Sequence, residues 1–256
     1  MIHRLADTGL LVELDDLAAV LRLDAAVRAA QDEGRGGFPE SAEFAAFSEV
    51  IDVLPAARTL MLTVPAGSDL GRLEHALTSL DVDALVDDDD EADDRVVEIP
   101  VIYDGPDLEE VASLTGLSAA EVVEAHTQTP WRSAFGGFAP GFFYLVEGDP
   151  RLEVPRRSEP RTAVPDGAVA LAGTFSAVYP RTSPGGWQLI GHTEEAMWDS
   201  DRTDPALLSP GVLVRFVDAG VRREFARGRR HRTAGPGAGH GASGSGAPGR
   251  RTLGCR

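Results

Sequence analysis

The sequence predicts an α+β protein. A small N-terminal α/β layer with ferredoxin-like element order precedes a β-rich barrel or sandwich. Three observations lead there. Residues 1–86 mix short apolar runs with helical stripes. Residues 87–94 carry seven acids in eight positions, a density at which like charges oppose compaction. After Trp131 the chain turns to short apolar runs cut by Pro and Gly, the signature of many short strands.

In the first segment, Leu10-Leu11-Val12-Glu13-Leu14 reads as a strand. Leu17, Val20, Leu21 and Val27 then recur near helical spacing, and Gly34-Arg35-Gly36-Gly37-Phe38-Pro39 reads as a loop. Val50 to Leu54 and Thr59 to Val64 read as two strands around Pro55, and Leu70, Leu73, Leu77 and Leu80 form one apolar helical stripe. The order is strand, helix, strand, strand, helix, for a domain spanning 1–86. Residues 87–94 read as an exposed acidic linker. A metal site there is disfavoured because no calcium-loop glycine or spacing accompanies the acids.

The second domain is expected over 95–218. Val96 to Ile102 is a strand candidate. Ser118-Ala119-Ala120-Glu121 has capping-box spacing and opens a helix through Val122, Val123 and Ala125. Phe142 to Val146, Ala168 to Ala172, Ala177 to Tyr179, Trp187 to Ile190 and Val212 to Val217 read as strands. Residues 219–256 are rich in Gly and Arg and read as a disordered basic tail. A formal G-x-G-x-x-G at Gly239, Gly241 and Gly244 lies in that tail with no strand before it and no helix after it, so a dinucleotide site is rejected.

Composition excludes several chemistries. All 24 basic residues are arginine. Without lysine there is no Schiff base, no Walker-type phosphate loop and no biotin or lipoyl attachment, hence no covalently bound cofactor of those kinds. The six histidines show no metal-ligand spacing and no G-x-S-x-G elbow is present, so neither a metal nor a nucleophilic serine is expected. The single cysteine, Cys255, leaves no internal disulfide. No apolar run reaches the roughly 20 residues of a membrane span, and the first residues lack a secretory signal. The expectation is a cytoplasmic protein. The net charge of −17 repels nucleic acid and anionic membrane. The tail, with nine arginines and one glutamate, is the exception.

Candidate site residues come from two runs, Gly136 to Leu145 and Tyr179 to Thr193, which pack glycines, prolines and aromatics into short spans. Glycine and proline set unusual backbone angles, and aromatics beside them make rigid walls. Phe138, Pro140, Phe142 and Trp187, with Tyr144 and Tyr179, are candidates to line a cleft, or else to fill a barrel core. Gln188, Thr193 and Ser183 would orient a ligand. Between the runs, Pro155-Arg156-Arg157-Ser158-Glu159-Pro160-Arg161 is held extended by its prolines. Arg156 and Arg161 are candidate grips for a carboxylate or phosphate, with surface ion pairing as the alternative. Arg157 is expected in a surface ion pair, and His192 is read as a strand-end histidine. The ligand expected is a small anion or amide, and no residue stands out as catalytic.

In order along the chain, Gly137-Phe138-Ala139-Pro140-Gly141-Phe142, Tyr144-Leu145, Pro155-Arg156, Pro160-Arg161, Val164-Pro165, Ala172-Gly173, Tyr179-Pro180, Ser183-Pro184-Gly185-Gly186-Trp187, Ile190-Gly191 and Thr193 resemble the allophanate hydrolase subunit 1 family. Upstream, Leu10 to Glu13, Glu98-Ile99-Pro100-Val101 and His126 extend the resemblance over about 8–218. That family includes the B subunit of the bacterial 5-oxoprolinase and an inhibitor of a sporulation histidine kinase.

The resemblance implies a cyclophilin-like β-barrel after the α/β domain. It implies an ATP-dependent opening of the 5-oxoproline lactam to glutamate, with Mg and ATP used by a complex that includes the C and A subunits. Two alternatives stand beside it: a non-enzymatic inhibitor that binds a sensor histidine kinase, and a carboxyltransferase-type component of a biotin-dependent urea carboxylase. A cyclophilin-like fold carries no implication of prolyl isomerase activity. Phe175-Ser176-Ala177 replaces the family's usual Gln-Thr-Gly, His192 stands where an arginine is common, and Trp131 where a tyrosine is.

Overall fold

The computed structural model describes residues 1–35, 44–82 and 95–220. The acidic run at 87–94, the tail from 221 and most of the expected loop at 34–39 lie outside the described residues. The described chain is a mixed α/β structure with few helices and two main sheets.

The first sheet has four antiparallel strands: β1 (Ile2–Leu5), β2 (Gly9–Glu13), β3 (Asp52–Pro55) and β4 (Thr59–Thr63), in the order β1-β2-β4-β3. Alternation decides its inner face: Leu10 and Val12 on β2 and Leu60 and Leu62 on β4 are buried. Against them pack α1 (Leu17–Arg35), through Val20, Leu23 and Val27, and α3 (Leu70–Ser79), through Leu70, Leu73 and Leu77. The Asp69 carboxylate caps α3 by accepting from the Gly71 and Arg72 amides. Two elements were not expected: the edge strand β1 and the one-turn helix α2 (Phe44–Phe47). Ile2-His3-Arg4-Leu5 is short and shows no apolar–polar alternation, so it does not read as a strand alone, and pairing with β2 makes it one.

The second sheet has seven strands, ordered β12-β9-β10-β7-β6-β13-β5. They are β5 (Val96–Val101), β6 (Trp131–Gly136), β7 (Phe143–Val146), β9 (Ala168–Ala172), β10 (Phe175–Val178), β12 (Gln188–His192) and β13 (Leu213–Asp218). A bridge between Ile102 and His192 joins its two edges, so the sheet is a nearly closed barrel rather than a sandwich. A separate ribbon pairs β8 (Arg161–Val164) with β11 (Ser183–Gly185). Helix α4 (Leu108–Thr115) was not expected; α5 (Ala119–Gln128) was, and both arms of its Ser118–Glu121 capping box form. Among the described residues no helix is long and apolar enough to cross a membrane.

Strand β9 is buried on both faces and so sorts the barrel into two cores. Val169 and Leu171 face one, with Ile99, Trp131, Ile190 and Phe216. Ala168, Ala170 and Ala172 face the other. Those short side chains leave room for Phe142, Tyr179 and Trp187, which pack there. The two sheets meet where Leu17, Leu21 and Ala56 pack on Ala134, Phe135 and Val146.

His126 lies fully buried in the first of these cores. Its ring hydrogen-bonds with the Tyr103 hydroxyl at 2.7 Å and the Ser176 hydroxyl at 2.9 Å, and stacks on Phe216. Burial pushes its pKa from 6.5 down to about 3. The folded protein thus keeps the ring neutral where the unfolded chain takes up a proton. This contribution to stability is intact above about pH 6.5 and is lost as pH falls, by about 1.4 kcal/mol per unit. The loss levels off near pH 3, where the folded ring also protonates. Urea unfolding between pH 7 and 5 is expected to show this slope, and His126→Gln to lack it; an equal slope in both proteins would exclude His126 as its source.

Candidate functional site

The cleft is built on the aromatic core face of β9. The turn between β6 and β7 forms one wall. Within it the Gly137 amide donates to the Phe142 carbonyl, and the Phe142 amide donates to the Ala139 carbonyl. Gly141 takes φ +81°, and an added Cβ there would lie 2.9 Å from the Met197 carbonyl oxygen and from Trp198 Cβ, so this position needs glycine on both counts.

Phe138 has φ +64° without being glycine, and its side chain stays 60% exposed. A bulky residue held in the left-handed region marks stored strain. The conformation brings its ring edge-on to Phe142 at 5.2 Å and Tyr179 at 6.2 Å, at the lip of the cleft.

The facing wall is the ribbon β8–β11, which ends at Gly185, and Gly186 after it. Gly185 lies so close to Tyr179 that an added Cβ would sit 2.3 Å from the phenol oxygen. Trp187 stands edge-on to Phe142 at 5.6 Å and Tyr144 at 5.6 Å. Burial raises the pKa of the Tyr179 phenol, against a smaller lowering by the Arg156 charge.

These walls enclose a cleft of about 130 Å³, lined by Phe138, Phe142, Tyr179, Trp187 and Arg156 among others. Arg156 is exposed and makes no hydrogen bond or ion pair with a described residue. The site therefore offers aromatic faces and one free guanidinium. That suits a small, flat anion, well below the roughly 300 Å³ of drug-sized sites.

The structure brings Phe138, Phe142, Arg156 and Trp187 together, with Tyr144 and Tyr179. The other candidates lie elsewhere. Pro140 is exposed in the turn. Gln188 is buried; its amide donates to the Pro155 carbonyl, and its own carbonyl has no partner among the described residues. The Thr193 hydroxyl accepts from the Glu195 amide. His192 pairs with Asp104 at 2.7 Å.

Arg161 reaches away from the cleft to Asp107. Arg157, expected in a surface ion pair, does form one, but with the same carboxylate, which is buried. Asp107 was missed altogether. Pro106-Asp107 before an apolar stripe looks like an ordinary helix start, and nothing local tells of partners 50 and 54 residues away.

The family described as carboxyltransferase domain, subdomain C and D, matches residues 1–208. The B subunit of 5-oxoprolinase from Escherichia coli is 49% identical over 130 residues, which are 50% of this chain and 60% of that protein. The match thus spans less than two thirds of the relative's length. The solved structure of TTHA0988 is similar at TM-score 0.64 and 36% identity, over 86% of this chain and 40% of that one. Kluyveromyces lactis urea carboxylase is similar at TM-score 0.65 and 16% identity, over 88% of this chain and 22% of that one, a likeness of fold alone.

Proposed function

The chain belongs to the carboxyltransferase domain, subdomain C and D, family, and on that premise we propose that it acts as the B subunit of an ATP-dependent 5-oxoprolinase. The relatives carry the name of that subunit. The observation that carries the reading further is Arg156, without a hydrogen-bond or ion-pair partner among the described residues, beside an aromatic cleft of about 130 Å³. 5-Oxoproline has a ring of methylenes and a flat amide to lie on aromatic faces, and one carboxylate to meet one guanidinium.

Opening the lactam requires an activated amide carbonyl and attack by water. Phosphorylation from ATP is the activation proposed. Among the described lining residues none is an activated nucleophile, and the cleft is too small for a nucleoside triphosphate with its Mg. This cleft therefore does not hold ATP, and the C and A subunits are the partners proposed, in a cytoplasmic hetero-oligomer. The chain alone is expected to show little or no hydrolase activity. In fold, the four-stranded layer is read as a ferredoxin-like unit whose edge position is taken by β1, and the barrel as cyclophilin-like. The domain division is read as 1–86, 87–94, 95–218 and 219–256.

A second reading has one observation in its favour: the family that matches is described as a carboxyltransferase domain. In a biotin-dependent carboxyltransferase the biotin would ride on another chain, because this one has no lysine.

The test is direct binding of 5-oxoproline to the full chain, measured by calorimetry. Arg156→Ala is expected to cost about 1.5–3 kcal/mol of binding, the scale of a charge-assisted hydrogen bond, with Tm unchanged. Wild-type protein that binds no 5-oxoproline, or an Arg156→Ala variant that binds it equally well, overturns the cleft assignment.

A further inference from the structure

We infer that Asp107 is a positioning residue of the cleft: it ties the strap 155–161 down through Arg157 and Arg161 and so turns Arg156 toward the aromatic walls. The inference rests on the cleft being the ligand site. The Asp107 side chain is 4% exposed. One carboxylate oxygen accepts from Arg157 Nη1 at 2.8 Å and from Arg161 Nη2 at 2.7 Å. The other accepts from the Leu189 amide at 2.7 Å.

The carboxylate is itself held in place. The Asp107 amide donates to the Leu189 carbonyl, and the Gly105 amide donates to the Ile190 carbonyl. Asp107 also stands at the N-cap of α4, where its side chain would ordinarily bond the first turn; here it makes no such bond. The oxygens that would cap the helix are committed to the strap instead.

On the strap side, the Arg157 amide donates to the Gly186 carbonyl at 2.8 Å, next to Trp187. Pro155 and Pro160 favour extended backbone just before them. Arg157 reaches Asp107 while its chain neighbour Arg156 lines the cleft, so the two side chains leave the strap in different directions and fixing one orients the other. Asp107 is absent from that lining, so it acts through the strap and not on the ligand.

The experiment is a double-mutant cycle between Asp107→Asn and Arg156→Ala in the full chain, with 5-oxoproline as the probe, beside amide hydrogen exchange. Asp107→Asn keeps the shape but replaces an acceptor with a donor. It is expected to weaken binding at least fivefold in the wild-type background and to change nothing further once Arg156 is alanine. Exchange at the Arg157 amide is expected to quicken at least tenfold while α5 keeps its protection.

Arg157→Gln, which removes one tie and leaves the buried carboxylate paired with Arg161, is the second variant if Asp107→Asn does not fold. It should give the same pattern more weakly. Equal losses in both backgrounds, or an unchanged Arg157 amide, overturn the inference. If wild-type protein binds no 5-oxoproline, the cleft assignment fails while the exchange arm still decides whether Asp107 holds the strap.

Discussion

Gly105→Ala is expected to cost about 4 kcal/mol or more, a large share of the roughly 5–15 kcal/mol that holds a domain folded. A Cβ on Gly105 would lie 2.3 Å from the Ile190 carbonyl carbon, 2.3 Å from the Leu189 oxygen and 2.5 Å from the Gly191 nitrogen. All three are backbone atoms of β12. A crowded side chain can rotate away; a strand paired with β9 cannot. The requirement is one of space, since residues 105–107 run against β12 through the Gly105 and Asp107 amides.

Relief would come only by pulling that segment off the strand, which would also carry Asp107 away from Leu189 and loosen the barrel edge at Ile102 and His192. The check is thermal and urea unfolding, with Tm falling by roughly 10 °C. Gly137→Ala is the control. An added Cβ there meets only Tyr144, at 3.6 Å, and should cost about 0.5 kcal/mol or less. Similar losses in both variants would show that the contact at Gly105 is not what matters.

How far the sequence carried the fold depends on how local each signal was. Helix α5 was legible because Ser118 and Glu121 sit three apart and bond each other's ends of one turn. The stripe of α3 was legible because Leu70, Leu73 and Leu77 repeat at helical period on a single buried face. Strand β9 was legible as a continuous apolar run, the mark of burial on both sides. Strands β1 and β6 were not legible: β1 is four residues long and β6 mixes Arg132 and Ser133 into its run. Each is fixed by its partner strand, and pairing is not written in either segment alone.

The site divides the same way. Gly141 and Gly185 announced crowding, and the rings beside them do form the cleft. Which arginine faces that cleft was not legible. Arg156, Arg157 and Arg161 have equal chemistry, and the choice among them is made by Asp107, brought to the strap by the barrel's closure. Proline spacing marked the strap as irregular chain without saying which side would face a carboxylate.

Trp131→Ala is expected to cost about 3–5 kcal/mol, the usual range for emptying a large aromatic site in a packed core. The indole is 1% exposed, donates from Nε1 to the His126 carbonyl at 3.2 Å, and covers Gly148 so closely that no Cβ fits there. It lies in the core with Ile99, Val214 and Phe216, whereas the cleft rings Phe142, Tyr179 and Trp187 pack on the opposite side of β9.

Two results are expected to separate these faces. Below its own Tm, the variant should bind 5-oxoproline within about twofold of wild type, because its loss is one of packing far from Arg156. Its stability should also depend less on pH between 7 and 5. The ring centroids of Trp131 and His126 are 5.3 Å apart, so a cavity there admits water to the imidazole and relieves the desolvation that holds its pKa near 3. A variant with an unchanged pH slope would show that His126 stays dry without the indole. A variant with a large loss of ligand affinity would show that the two faces of β9 are coupled, and that the cleft depends on the barrel core as well as on the strap.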